Sequence, residues 1–485
     1  MALGEHWRVA EGLDCTIIIA LRRHLLSWAE EFPKLEPIAS HYGNDPLAWW
    51  IDKDDRPDLN KPFLLLSMER LVRLKRPDIE KLVKLARRST VILEESYVIQ
   101  NPKADRTQVV REIIGAHHIG LTGTLIRGFS VAALSVLQWV FRSGSPAFPE
   151  YRADREGSAK RFEQTFTSWA VADDGTRKRV PVLKNPEKFY DMLRPLMARR
   201  MRGEPDVVRD IGDVQIERTL VDVELDPEHM RFYLTLVDQF TVWYRKLLEE
   251  RGEMNKINAQ EILVKLNYLI QGLVQPWKMP VPEEGEGDFI PPFFERRMTA
   301  LQEWGLKKAT EHVLEGRQVL IFSQYPSALD LISESCVGFA AARVHGGVSF
   351  EARAESIESF QNGETPLLCV SYGVGAESLN LGAAGAAILL EPNWVPSVMT
   401  QAEGRMTRGQ VDEVPQSFWL SSPGTILEYM HGVARLKQSA MDAALDHIEQ
   451  TVTGADISDL RQYAYGLAIK GDSHWLEPRK YMLDL

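Results

Sequence analysis

VILEESYVIQNP, residues 91–102, is an apolar run that stops at two adjacent carboxylates, Glu94 and Glu95. A short apolar run bounded by acids reads as a buried strand. In a parallel sheet, the carboxyl ends of the strands carry the chemistry. Two acids there can hold a metal-bound water and act as the base that orients an attacking water. Taken alone, a polar strand end is the simpler reading.

Working outward from this run, similar ones recur at TIIIAL (16–21), PFLLLS (62–67) and HIGLTGT (118–124). Helical patterns such as IEKLVKLARR lie between them. Alternation of this kind reads as βαβ units on a parallel sheet. A second series follows at QVLIFS (318–323), AARVHG (341–346), PLLCVS (366–371), AAILLEP (386–392) and QSFWLSS (416–422). The expected fold class is therefore α/β, with two parallel-sheet lobes and helical insertions between them. Residues 125–275 show helical spacing and few strand runs. KMPVPEEGEGDFIPPF (278–293), with four prolines, two glycines and four acids, reads as a linker. The expected division is lobe one over 1–195 with a helical insertion from about 125, helical insertion and linker over 196–293, lobe two over 294–450, and a tail over 451–485 that packs on the core.

The bulk numbers exclude several classes. Hydrophobic content of 44% and charged content of 26% are ordinary for a globular chain of 485 residues. A net charge of -11 argues against a uniformly basic coat, though a local basic groove remains compatible with it. Cys15, Cys336 and Cys369 form no CxxC pair, so neither a zinc site nor a disulfide framework is expected. No apolar stretch reaches the ~20 residues of a spanning helix, and the N-terminus lacks an apolar signal core. A cytoplasmic protein, neither secreted nor membrane-bound, is expected.

Several motifs admit a chemical and a structural reading. LTGT (121–124) could aim the hydroxyls of Thr122 and Thr124 at a site, with Gly123 allowing a tight turn; an ordinary strand-to-loop turn is the simpler account. GVGAESLNLGAA (373–384) is either a phosphate-approaching loop or a plain βα connection. In QAEGRMTRGQ (401–410), helical spacing would put Gln401, Arg405 and Arg408 on one face, where guanidinium forks suit a polyphosphate. The alternative is a solvated face. Residues 70–88 hold eight Lys or Arg against two acids, and RPLMARRMRG (194–203) holds four arginines and no acid. Such clusters can meet a phosphate backbone, although most charge runs are solvated faces.

The order of these segments resembles the Swi/Snf family of helicase-like DNA translocases in superfamily two. CTIIIALRRHLLSWAEEFPK (15–34) resembles its first DNA-contact motif, and FLLLSMERL (63–71) the next strand and turn. VILEESYVIQNP resembles the metal-binding motif with its trailing Asn-Pro, and RTQVVREIIGAHHIGLTGT (106–124) the coupling motif. LRPLMARRMRG resembles the arginine-rich segment after lobe one. QVLIFSQY, HGGVSFEARAESIESFQNG, ESLNLGAA, EPNWVP and QAEGRMTRGQ resemble the lobe-two motifs in order. The match covers roughly residues 15–450.

The resemblance implies RecA-like lobes, ATP with Mg as cofactors, and double-stranded DNA as partner. It gives Glu94 the metal side, through water, and Glu95 the catalytic glutamate. It gives Arg405 and Arg408 the arginines that reach ATP, with Gln401 opening their motif. It makes Thr122, Gly123 and Thr124 the coupling turn. It assigns DNA contact to Arg22, Arg23, Ser67, Arg199, Arg200, Ser323, Asn380 and Trp394.

The departures are specific. The family's phosphate loop is G-x-x-x-x-G-K-[ST], yet none of the 33 glycines here is followed by lysine. Fourteen residues precede Cys15, where a βαβ unit of ~30 would be needed, so the loop is expected to be absent rather than displaced. Glu94-Glu95-Ser96-Tyr97 replaces Asp-Glu-Ala-His. The extra methylene of Glu94 shifts a metal-held water by roughly 1 Å, a misplacement that can cost ~100-fold in rate. Leu125 stands where proline is usual, and Ser378 departs from the Asn-Leu motif. The expectation is a duplex-binding, helicase-like protein whose ATPase is lost or depends on a loop supplied by a second protein. Two alternatives stand beside it. One is an active translocase that is split or truncated; the other is an interaction scaffold or inhibitor reusing the fold. No chromatin-reader-like segment is seen, which favours a bacterial or viral source over a nuclear one.

Overall fold

The computed structural model describes residues 1–34, 46–123, 125, 130–142, 149–171, 177–200, 204–211, 215–252, 259–279, 291–375, 381–407 and 414–446. The chain divides into two compact units. Met1–Ser168, Pro181–Leu196 and Ala440–Ile448 make up the first, and the remaining residues the second.

In the first unit, β1 (Cys15–Ala20), β2 (Leu47–Trp50), β3 (Phe63–Ser67), β4 (Ser89–Leu93) and β5 (His117–Gly120) form a sheet in the order β2-β3-β1-β4-β5. Every pairing is parallel. Ile17 and Ile19 of β1 enter one apolar cluster, while Ile18 and Ala20 enter another. The same alternation divides Leu64 and Leu66 from Leu65, and Val91 and Leu93 from Ile92. Strand side chains point alternately to opposite faces, so both faces of this sheet are covered. That is why these strands read as continuous apolar runs. Each fully buried aliphatic side chain contributes about 1.5–3 kcal/mol relative to exposure.

The second unit repeats the plan. β8 (Glu217–Asp222), β9 (Gln318–Ser323), β10 (Ala341–Val344), β11 (Leu367–Ser371), β12 (Ala384–Leu389) and β13 (Gln416–Ser421) are ordered β10-β11-β9-β12-β13-β8, all parallel. Val319 and Ile321 face one cluster, and Leu320 and Phe322 the other. Two parallel-sheet α/β lobes are thus present, as the sequence pattern led us to expect. The ribbon β6 (Thr167–Val171) with β7 (Arg177–Leu183) completes the strands among the described residues.

The stretch 196–293 is not purely helical. It supplies β8, whose sequence ERTLVD is mostly exposed and pairs on one side only, with β13. An edge strand buries little, so its charged pattern hides it from an apolar-run reading. The helices Pro227–Arg251 and Ala259–Val274 then pack together and add Phe232, Tyr233, Leu236, Leu266 and Ile270 to the core beneath β9. Asp226 begins the first of them, accepting from the backbone N–H of Glu228 and His229. The acidic part of the expected linker, 280–290, and the tail 451–485 lie outside the described residues.

Candidate functional site

The acids fall where the strand reading places them. β4 ends at Leu93, and Glu94 continues the ladder by donating its backbone N–H to the Ile19 carbonyl at 2.9 Å. Glu95 then turns the chain with φ 47°, in the left-handed region. A non-glycine residue held there costs about 1–3 kcal/mol and persists only when its surroundings impose it. Three bonds impose it. Ser96 N donates to Leu121 O at 2.8 Å, Leu121 N to Leu93 O at 2.9 Å, and the Gln100 side chain to Leu125 O at 2.8 Å. The acid turn and the LTGT turn are therefore tied to each other. Thr122 and Gly123 sit in that second turn; Thr124 lies outside the described residues.

Sequence reasoning missed the closest partner of Glu94. His24, in the helical turn Arg22–His24 after β1, is 4% exposed, and its Nδ1 lies 3.2 Å from Glu94 Oε2. A ring N–H facing a carboxylate donates to it and fixes its rotamer. No local signal marks His24, because the two residues are 70 apart in sequence.

Nearby, His118 is held in one tautomer. Gly115 N donates to its Nε2 at 2.8 Å, and its Nδ1 donates to Trp139 O at 2.7 Å. Burial pushes its pKa down to about 4, so it is neutral at pH 7.

Lobe two presents the arginine segment differently from its helical reading. The helix Pro396–Glu403 stops before Arg405, with Gly404 as its C-cap, so Gln401 and Arg405 do not share a helix face. The turn tightens instead, with Arg405 N reaching Ala402 O at 3.2 Å and Met406 N reaching Glu403 O at 3.0 Å. The reason is packing. Met406 is fully buried in the cluster with Met399 and Ala402, which pulls the chain inward past the glycine. Arg405 is 7% exposed. Beside it, the fully buried Glu403 accepts from Arg218 Nε of β8 at 2.7 Å and from the Trp419 indole at 3.2 Å. Arg408 and Asn380 lie outside the described residues.

The residues assigned to DNA contact divide into two groups. The Ser67 hydroxyl is buried, donates to Ile51 O and accepts from Arg70 N as a helix cap. Ser323 is buried and donates to Glu391 Oε1 at 3.1 Å, which also takes Gln324 N at 2.6 Å. The Trp394 indole N–H is spent on Asn267 Oδ1 at 2.9 Å, and its carbonyl accepts from Lys437. These bonds tie the three side chains into their own lobes, Ser67 and Ser323 buried and Trp394 half-buried. Arg22 and Arg200 are exposed: Arg22 pairs with Asp52 at 2.8 Å, while Arg200 lies 3.7 Å from Glu204 and 3.8 Å from Asp206. Arg199 is half-buried, and for Arg23 only the backbone turn is described.

Glu391 is the second residue that sequence reasoning passed over. It is fully buried at the end of β12, and burial raises its pKa to about 8 despite the two bonds it accepts. Its Oε2 has no hydrogen-bond partner among the described residues. A protonated carboxyl fits that environment better than a charged one.

Residues 300–410 match the helicase conserved C-terminal domain, a span that contains β9 to β12 and Arg405. A rice protein, the SNF2 domain-containing protein ENL1 of Oryza sativa subsp. japonica, is 24% identical over 388 residues, covering 74% of this chain and 38% of that protein. The chain is Swi/Snf-like. A putative ATP-dependent helicase/translocase, YwqA of Bacillus subtilis, is 22% identical over 461 residues, covering 92% of this chain and 45% of that one. The SWI2/SNF2 ATPase core of Sulfolobus solfataricus, solved with double-stranded DNA, aligns at 20% identity and TM-score 0.35 over 93% of this chain and 90% of that one. The Swi/Snf-like chain spans between 31% and 38% of the length of the first three curated relatives it matches. No helix among its described residues is long and apolar enough to cross a membrane.

Proposed function

We propose that this Swi/Snf-like chain binds duplex DNA, and that ATP turnover on it needs a phosphate loop from outside these 485 residues. One observation carries the reading: Glu94 and Glu95 close β4 as an adjacent acid pair, while no glycine in the sequence is followed by the lysine of a phosphate loop. The carboxylates of Glu94 and Glu95 fit the metal and water end, with ATP and Mg as the cofactors. The triphosphate does not fit this chain alone, and no catalytic step through it is assigned. Arg22, Arg23, Arg199 and Arg200 are the proposed phosphate-backbone contacts, and Arg405 and Arg408 the proposed reach toward ATP.

The loop comes either from further sequence of the same polypeptide or from a second protein. The modest share of its relatives that the chain spans favours further sequence. The interaction-scaffold reading has only the net charge of -11 in its support.

Duplex binding is tested by fluorescence anisotropy across 50–300 mM salt. The expected result is an affinity that falls steeply with salt, and falls less steeply in Arg199→Ala/Arg200→Ala. No binding at the lowest salt would overturn the reading.

A further inference from the structure

The helix Ile426–Asp446 carries a single lysine, Lys437, half-buried against the segment that follows β12. Its Nζ donates to the Trp394 carbonyl at 2.6 Å. An ammonium group has three donors, and the other two find no acceptor among the described residues. No carboxylate there pairs with it either. One turn away on its own helix stand Val433, Ala434, Ala440 and Met441, none of them acidic. The acid of the facing segment, Glu391, accepts from Ser323 and Gln324 instead. Lys308 of the same lobe shows the usual arrangement, an ion pair with Glu311 at 3.1 Å. A buried ammonium with one neutral acceptor is under-solvated, which favours the uncharged amine. Burial accordingly pushes the pKa of Lys437 down to about 8. None of the roles assigned to DNA or ATP uses this residue.

We propose that Lys437 is a modification site, whose amine takes a small acyl group from an acyl phosphate or an acyl thioester. The neutral amine attacks the acyl carbonyl carbon. A C–N bond forms as the C–O bond to phosphate, or the C–S bond to the thiol, breaks. Phosphate or thiol leaves, and the extra proton on nitrogen goes to water. Only the neutral amine can take that step, and burial makes it available near neutral pH. At pH 7.5 roughly a quarter of Lys437 is uncharged, against about one in a thousand for an ordinary lysine. Nucleophilicity falls as pKa falls, as it does for thiols, which gives back part of that advantage. The acylated nitrogen keeps one N–H and no charge, so its hold on the Trp394 carbonyl weakens.

The test is acetylation of the full chain at pH 7.5 with acetyl phosphate and, separately, with acetyl-coenzyme A, each lysine followed in time by peptide mass spectrometry. The expected result is that at least one donor acetylates Lys437 about tenfold faster than the exposed Lys34 and Lys307. The advantage should disappear in concentrated urea, where the burial is gone. An advantage with acetyl phosphate alone identifies an acyl phosphate as the donor, and one with acetyl-coenzyme A alone identifies a thioester; either, or both, supports the site. Acetylation of Lys437 no faster than of the two exposed lysines with both donors, or an advantage that persists in urea, overturns it. The readout is independent of duplex affinity and of ATP turnover, so failure here leaves the proposed function standing.

Discussion

His24 and Glu94 meet at 3.2 Å, Nδ1 to Oε2, across 70 residues of sequence and two neighbouring strands, β1 and β4. The histidine is nearly buried, while the Glu94 side chain is 22% exposed. The longer acid at the metal side of the proposed site is thus held from behind by a histidine to which the sequence pattern gave no role.

Replacing His24 by alanine removes that bond and a buried ring. The expected cost is about 1–3 kcal/mol, measured by urea denaturation. Glu94→Gln keeps an acceptor for the ring and should cost less than half as much. Equal stability of wild type and His24→Ala would mean that the pair is incidental.

Glu391 gives a pH signature. Its folded pKa, raised to about 8, lies above the ordinary 4.5. The folded state therefore binds the proton more tightly than the unfolded state does. This contribution is full below pH 4.5 and is lost as pH rises through 8. Glu391→Gln mimics the protonated form and should flatten the fall in stability between pH 5 and 8, a change on the order of a few kcal/mol. Thermal melts of both proteins across that range check it; parallel curves would refute the assignment.

Below pH 6.5 the histidines act in the opposite direction. His431 is buried and His118 half-buried, and each is depressed to about 4. Their contribution is present above 6.5 and is lost as pH falls through 4. A His431→Phe variant should soften acid unfolding between pH 6 and 4, read by near-ultraviolet circular dichroism.

Arg218→Ala leaves Glu403 buried without its cation. Because Arg218 is 40% exposed, the expected cost is about 2–3 kcal/mol, below that of a fully buried pair. Arg218→Ala/Glu403→Gln should recover most of it, since the Trp419 indole still finds an acceptor. A double-mutant cycle in urea measures the coupling; additive effects would show that the pair does not act as a unit.

Much of the fold was legible because both sheets are covered on both faces. Strands such as IIIA in β1 and LLCV in β11 have nowhere polar to point, so they print as unbroken apolar runs. The edge strand β8, with ERTLVD, carries no such run, and β2, LAWW, is apolar but only four residues long, with buried and half-buried positions alternating. The acid turn was legible too, since Glu94 and Glu95 close the β4 run directly. The residues around it were not. His24, Arg218 and Glu403 matter through partners 70 and 185 positions away, and periodicity carries no information at that range. The helix expected to carry Gln401 and Arg405 together ends at Gly404, because burying Met406 outweighs continuing the helical ladder.

The most direct measurement is steady-state ATP hydrolysis by the purified chain, with and without duplex DNA, beside Glu95→Gln as the blank. The account predicts turnover no higher than the blank under both conditions, while the duplex is still bound. DNA-stimulated turnover that disappears in Glu95→Gln would contradict it, because these 485 residues would then hold a complete nucleotide site.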